Sequence, residues 1–477
     1  AFRRRLSIHI HTSVNCPRPM ATFDLIRPPS SSPLTPKLLA NVENSNWVNP
    51  TPCQMQAIPS LLALRDTLLC APTGSGKTAA FMIPALLLSS LGEKRANVRS
   101  IVLEPTRELC EQVKRVALSL GRGGGVKVMV LSKENAHLPI PERGIDVLIS
   151  TPFRLTTFFP KMDTSSLKIV CLDEADRLLD DKDAGGAKKK ARADAKKLKK
   201  ARKKAAPKEA GSDDGDSDDS DSDSDSDSDP QSAAPASTTY LGQISAILPK
   251  LPPTCVRSYS TATLSPHLRS LALTSLRNPV QITVGGSTSG AAAANSDVKQ
   301  SLKFVGKEEG KILAMRQLLR SGVKPPVLVF VQDKKRAKGI YDELKDETRI
   351  ELCTSDLTMA QRDEAVTRFR TGQTWFLVCT DSMSRGLDFP AVQVVINYDF
   401  PQSTISYVHR IGRAGRAGRT GEAITLFTED DYPALRGVAN IIKLSGGEVQ
   451  DWMLKLKKER HSDKKKREAG GARRRGS

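Results

Sequence analysis

The segment Ala71-Pro72-Thr73-Gly74-Ser75-Gly76-Lys77-Thr78 constrains this chain more than any other. It follows the apolar run Thr67–Cys70 and leads into a helical pattern from Ala79. A glycine-rich turn between a strand and a helix aims backbone N–H groups at the helix N-terminus, where the peptide dipoles favour an anion. In that setting Thr73, Gly74, Ser75 and Gly76 form a cradle for phosphates, Lys77 reaches the β- and γ-phosphates, and the Thr78 hydroxyl ligates Mg²⁺. The first position of the pattern, ordinarily glycine, is Ala71 here.

The rest of the chain supplies the sheet that such a turn needs. Val-, Ile- and Leu-rich runs recur between helical patterns: Thr67–Cys70, Ser100–Leu103, Val126–Leu131, Asp146–Ser150, Lys168–Leu172, Val256–Ser260 and Val280–Val284. A second series comprises Leu302–Val305, Val327–Val331, Phe376–Cys379, Val394–Asn397 and Ala423–Phe427. Continuous apolar strands alternating with helices predict parallel sheets covered on both faces. The fold class is α/β, with two tandem parallel-sheet domains joined by a flexible linker. Residues 31–284 form the first domain, 285–298 the Gly/Ser/Ala linker, 299–445 the second domain and 446–477 a basic tail. Residues 1–30 are expected to be a disordered extension. So is a charged insert within the first domain, residues 183–238, where a Lys/Arg/Ala run passes into alternating Asp and Ser. That insert has almost no large apolar side chains to offset the entropy of ordering it, and a surface loop can carry it cheaply.

The formal charge of +20, from 73 Lys and Arg against 53 Asp and Glu, suggests a polyanionic partner, although basic tails alone produce the same balance. No apolar run approaches the roughly 20 residues that span a bilayer, so no membrane partner is expected. The longest, Ala79 to Leu91, is interrupted by Pro84 and reads as a buried helix. The eight cysteines are scattered and include no Cys-x-x-Cys pair, which suits small core residues in a reducing compartment. The acid-poor, Arg-bearing N-terminus keeps a mitochondrial address open as an alternative.

A second acidic element, Asp173-Glu174-Ala175-Asp176, ends the apolar run Lys168–Leu172. Asp173 can hold the metal there, and Glu174 can polarise a water for attack on a γ-phosphate. Paired with the phosphate turn, the two carboxylates make hydrolysis of a nucleoside triphosphate the expected reaction.

Asp173-Glu174-Ala175-Asp176 resembles the signature of the DEAD-box RNA helicases, and other motifs of that family follow in order between Trp47 and Phe427. The resemblance implies two RecA-like domains. Pro50-Thr51-Pro52-Cys53-Gln54 resembles the motif whose glutamine reads adenine, which implies that role for Gln54, with Phe23 the candidate for its upstream aromatic. Pro105-Thr106-Arg107 and Thr151 with Arg154 resemble RNA-backbone motifs. Phe153 stands where most of the family has glycine, so either the RNA contact is locally altered or this branch tolerates a side chain there. Thr261-Ala262-Thr263 resembles the motif coupling hydrolysis to unwinding. In the second half, Thr380, Arg385, Gly386 and Asp388 resemble residues that touch RNA and the nucleotide sugar. His409 through Arg416 resembles the arginine-finger motif, which implies catalytic roles for His409, Arg413 and Arg416.

The implied activity is RNA-stimulated ATP hydrolysis with Mg²⁺, coupled to local duplex separation or to stripping of protein from RNA. An ATP-gated RNA clamp uses the same residues, whereas a relic nucleotide site is disfavoured because Lys77, Asp173, Glu174, Arg413 and Arg416 are all present. RNA contacts are expected to be independent of sequence, since Thr, Arg and backbone groups suit phosphate and sugar. Segments such as Asn397-Tyr398-Asp399-Phe400-Pro401 resemble the nucleolar branch that assembles the small ribosomal subunit. That branch implies precursor rRNA as partner, protein assembly cofactors, a nucleolar location and a monomer.

Overall fold

A computed structural model describes residues 2–11, 16–91, 97–135, 138–141, 144–179, 239–285, 298–381, 392–415 and 420–457. The charged insert, most of the linker and the end of the basic tail lie outside the described residues.

Two sheets form, one from each series of apolar runs. The first contains β1 (Ile8–His11), β2 (Thr67–Cys70), β3 (Val98–Leu103), β4 (Val128–Val130), β5 (Ile145–Ser150), β6 (Ile169–Leu172), β7 (Val256–Thr261) and β8 (Val280–Val284). Their spatial order is β1-β8-β2-β7-β6-β3-β5-β4. The second contains β9 (Val298–Phe304), β10 (Val327–Val331), β11 (Ile350–Cys353), β12 (Phe376–Thr380), β13 (Val394–Asn397) and β14 (Gly421–Phe427), in the order β11-β12-β10-β13-β14-β9. Every pairing is parallel except that of β1 with β8. Parallel strands require crossover helices on their faces, and the central strands are buried along their whole length as a result. The helix Lys77–Ser89 is buried as its apolar run predicted.

The N-terminal extension departs from the expectation of disorder. Ile8 to His11 pairs antiparallel with β8, from Ile8 opposite Val284 to His11 opposite Gln281. Met20, Phe23 and Ile26 are buried against the first domain's core. The alternating Ile-His-Ile-His run is a half-buried edge strand, too short to stand out in the sequence beside four arginines. The structure also places Phe23 at 5% exposure inside that core, which excludes it as a ready stacking surface in this conformation.

Parallel topology fixes where chemistry is available. The loops after β2, β3, β5, β6 and β7 all leave from one edge of the first sheet, the carboxyl ends of its strands, where open α/β sheets bind ligands. The phosphate turn, the two carboxylates and Thr261–Thr263 therefore rise over β2, β6 and β7. The residues matching RNA-backbone motifs rise over β3 and β5, on the other half of the same edge.

Candidate active site

The phosphate turn is held in an anion-cradling shape by two left-handed glycines, Gly74 at φ 78° and Gly76 at φ 86°. The Lys77 ammonium donates to the carbonyls of Ala71 and Pro72, at 2.8 Å each. Gln54 braces the turn from the helix Pro52–Leu62. Its carboxamide oxygen accepts from Thr51 N at 2.9 Å and its nitrogen donates to Gly76 O at 3.2 Å. A primary amide has two N–H donors and two lone pairs, so one of each is left over, the pattern that reads the N6/N7 edge of adenine.

The carboxylates stand two strands away. Asp173 is 9% exposed and accepts from Ser260 Oγ at 2.7 Å and from Glu174 N at 2.9 Å. Burial raises its carboxyl above the ordinary range, against the opposing pull of Lys77 and Ser260. Glu174 takes left-handed backbone angles, φ 46° and ψ 48°, a conformation that costs a non-glycine residue about 1–2 kcal/mol and is typical of functional sites. Its Oε2 is buried with no hydrogen-bond partner among the described residues. An orphaned carboxylate oxygen beside a second carboxylate and a phosphate cradle fits a site built for a hydrated divalent cation and a nucleotide.

Asp176 joins the two domains. Its Oδ2 accepts from Thr263 Oγ1 at 2.5 Å and lies 3.1 Å from Nε2 of His409, which belongs to the second domain's helix Thr404–Ile411. Burial alone would raise this carboxyl, but His409, Thr263 and Lys77 together hold it at about 2. Thr261 Oγ1 accepts from Thr263 N at 3.2 Å and donates to Thr263 O at 2.8 Å, so both threonines are fixed in one turn under Asp176. A second bridge crosses the cleft where Arg362 meets Glu108 at 3.0 Å. Arg413 follows the His409 helix at 4% exposure, and Arg410 is fixed by Asp381 at 2.5 and 2.9 Å.

Three comparisons bear on this arrangement. Residues 51–206 match the family model "DEAD/DEAH box helicase", and residues 310–418 match "Helicase conserved C-terminal domain". DEAD-box ATP-dependent RNA helicase 57 of Oryza sativa subsp. japonica is 37% identical over 468 residues, 96% of this chain and 75% of that protein. The chain belongs to the DEAD-box family of ATP-dependent RNA helicases. The probable ATP-dependent RNA helicase DDX52 of Rattus norvegicus is 35% identical, over 98% of this chain and 69% of that protein. Among solved structures, S. cerevisiae Dbp5 bound to RNA and ADP BeF3 superposes with a TM-score of 0.66 at 24% identity, covering 89% of this chain and 93% of that one. At that identity the match establishes the shared two-sheet fold.

Not every expected residue of this DEAD-box protein is where its motif suggested. Gln54, Thr73 to Thr78, Asp173, Glu174, Thr261, Thr263 and His409 gather along one cleft. Pro105 is buried and its carbonyl accepts from the Tyr240 hydroxyl at 2.9 Å, so Thr106 and Arg107 are the solvent-reaching members of that motif. Thr106 also caps the helix Arg107–Leu120, accepting from Leu109 N at 3.3 Å. Thr380 ends β12 at 7% exposure. Arg385, Gly386, Asp388 and Arg416 lie outside the described residues. Phe153 needs no unusual backbone, since it sits in the first turn of the helix Pro152–Phe158 with ordinary angles.

The motif reading passed over two features. Glu104, directly after β3, is fully buried beside Asp173 and Glu174, and neither of its oxygens has a hydrogen-bond partner among the described residues. Burial pushes its carboxyl far up, and Asp173 and Glu174 push it further. The loop after β4, Ser132 to Asn135, leaves from the same sheet edge as the residues that match RNA-backbone motifs. A hydrogen bond from Ser132 leads the causes that lower Glu134, and both Arg107 and Arg154 contribute. The signal for Glu104 was an acid ending an apolar strand, the same signal that marked Asp173. Lys133 had none, because its place on the edge depends on β4 lying next to β5.

Proposed function

We propose that this helicase works by closing its two domains around ATP and RNA, and that the hydrogen-bonded chain Thr263–Asp176–His409 couples the nucleotide state to closure. The observation that carries the reading is that Asp176, two residues from Glu174, is shared between the hydrolytic domain and its partner domain. Lys77 and the turn N–H groups bind the phosphates, Gln54 reads the base, and Thr78 and Asp173 hold Mg²⁺. When bound, the metal neutralises phosphate charge and fixes the phosphates for in-line attack. Glu174 orients the attacking water and takes its proton. Arg413 and Arg416 stabilise charge on the transferring phosphoryl group, a contribution available only in the closed state. ATP favours closure by its differential contacts, and hydrolysis followed by phosphate release removes them.

Arg107, Thr106, Thr151, Arg154, Thr380 and Arg385 are assigned to the RNA strand. Precursor rRNA of the small ribosomal subunit is the proposed substrate, in the nucleolus and with assembly proteins as partners. The sequence likeness of the second domain to that branch supports this reading.

The test is ATP turnover with and without RNA, beside strand displacement, for the intact protein and Glu174→Gln. RNA-stimulated turnover that Glu174→Gln abolishes, with ATP-dependent RNA binding retained, is the expected result. Turnover indifferent to RNA sinks the closure mechanism. Crosslinking and sequencing of bound RNA in cells tests the substrate separately, and enrichment of messenger RNA over precursor rRNA would count against it.

A further inference from the structure

Phe153 is 52% exposed on the RNA-side edge of the first sheet. Its helix has another face for the core, which takes Pro152, Leu155 and Phe158. Packing therefore does not explain a large apolar ring in water. Its surroundings are cationic. The Arg154 guanidinium carbon lies 5.5 Å from the ring centroid. Arg107, the first residue of its helix, and Lys133, in the loop after β4, are exposed at the same edge, where the Glu134 carboxylate lies within electrostatic reach of both Arg107 and Arg154. An exposed aromatic ring framed by cations is how proteins hold a single nucleic-acid strand: cations track the backbone while a base stacks on the ring.

We propose that Phe153 is a base-stacking residue, receiving one unpaired nucleobase of the bound RNA strand while Arg107 and Arg154 hold the adjoining phosphates. The inference rests on this edge being the RNA face. It adds a base contact to a site whose other members suit phosphate and sugar. Every base has a π-face, so the contact demands that a base be present and unstacked from its own neighbours, with little regard to its identity. A side chain that requires an unstacked base at one position disfavours a continuous A-form helix there, which is a means of bending or parting a duplex on this domain.

The experiment uses the full chain with a non-hydrolysable ATP analogue and two RNAs of equal length, an oligouridylate and the same ribose-phosphate chain without bases. Binding is followed by fluorescence anisotropy. Phe153→Ala should weaken oligouridylate binding by about tenfold or more and leave the abasic chain unaffected, and Phe153→Trp should keep oligouridylate affinity. Arg107→Ala and Arg154→Ala should weaken both RNAs. If Phe153→Ala weakens both equally, the ring has a structural role and the proposal is overturned. If it weakens neither while the arginine variants weaken both, the RNA face stands and the stacking does not; the ring is then left for a protein partner. If the arginine variants bind both RNAs like the parent, the assignment of this edge to RNA fails first.

Discussion

At the scale of single residues, the nucleotide site depends on backbone shapes that few side chains accept. A Cβ on Gly76 would stand 2.5 Å from Gln54 Nε2, and the φ of 86° is strained for any L-residue. Gly76→Ala should therefore cost about 1–2 kcal/mol locally and displace the carboxamide that braces the turn. The expected outcome is at least a tenfold loss in binding of a fluorescent ADP analogue, with the melting temperature of the chain little changed.

Glu104 makes a different prediction. Its carboxyl is raised in the folded state by burial and by Asp173 and Glu174. The folded protein thus holds a proton that the unfolded chain loses once pH passes the ordinary carboxylate range, and stability falls as pH rises from there toward the folded value. Glu104→Gln, neutral at every pH, should raise the metal-free melting temperature at pH 8, with the gain shrinking toward pH 4. A variant that melts below the parent at pH 8 contradicts this account. The phosphate turn and Asp173-Glu174 were legible from local pattern because each function is built from adjacent residues. The pairing of Asp176 with His409 was not, because it joins positions 233 residues apart and depends on how two sheets face each other.

Elements were legible in proportion to their burial. β2, β10 and β13 have the bounds that their apolar runs predicted, because a strand covered on both faces must be apolar throughout. β11, Ile350-Glu351-Leu352-Cys353, was missed. It is an edge strand whose Glu351 is partnered by Arg368 and Thr374, and a charge in a short run reads as loop. In the second sheet, Asp399 follows β13 at 3% exposure and binds the elements around it together. It pairs with Lys311 at 3.1 Å, accepts from Gln332 N at 2.9 Å and receives the Arg336 guanidinium. Burial would raise this carboxyl, but Arg336 and Lys311 outweigh it and hold it below the usual range. The stability these partners supply is fully present above the ordinary carboxylate range and is lost as pH falls through the depressed folded value. Asp399→Asn leaves two cations facing a neutral amide, a change of about 3–5 kcal/mol for a buried pair. Thermal melts should show a large deficit at pH 7.5 that narrows in acid; a deficit independent of pH would point to packing instead of charge.

Across the whole molecule, the proposed mechanism requires the domains to meet closely enough for Arg413 to serve a nucleotide held by the other domain. Gly412 shows how close that is. Its own backbone is ordinary, with φ −67° and ψ 2°, so alanine is conformationally acceptable within the second domain. Yet a Cβ there would stand 1.5 Å from Thr73 Oγ1 and 2.6 Å from Thr73 Cβ, atoms of the phosphate turn across the cleft. Within its own domain the same Cβ would stand 3.1 Å from Val408 O, so the demand for glycine comes mainly from the closed assembly. Rotating the Thr73 side chain moves its hydroxyl but not its Cβ, so local adjustment offers no escape. Gly412→Ala should keep the parent's melting behaviour and its binding of ADP to the first domain, while interdomain energy transfer with ADP·BeF₃ and RNA reports at least a tenfold loss of the closed population. RNA-stimulated turnover should fall with it. Removing the opposing Cβ supplies the control: Thr73→Gly added to Gly412→Ala should recover closure even if turnover stays impaired by the altered turn. If Gly412→Ala closes like the parent, the interface drawn through Asp176 and His409 is not the one that the working helicase uses.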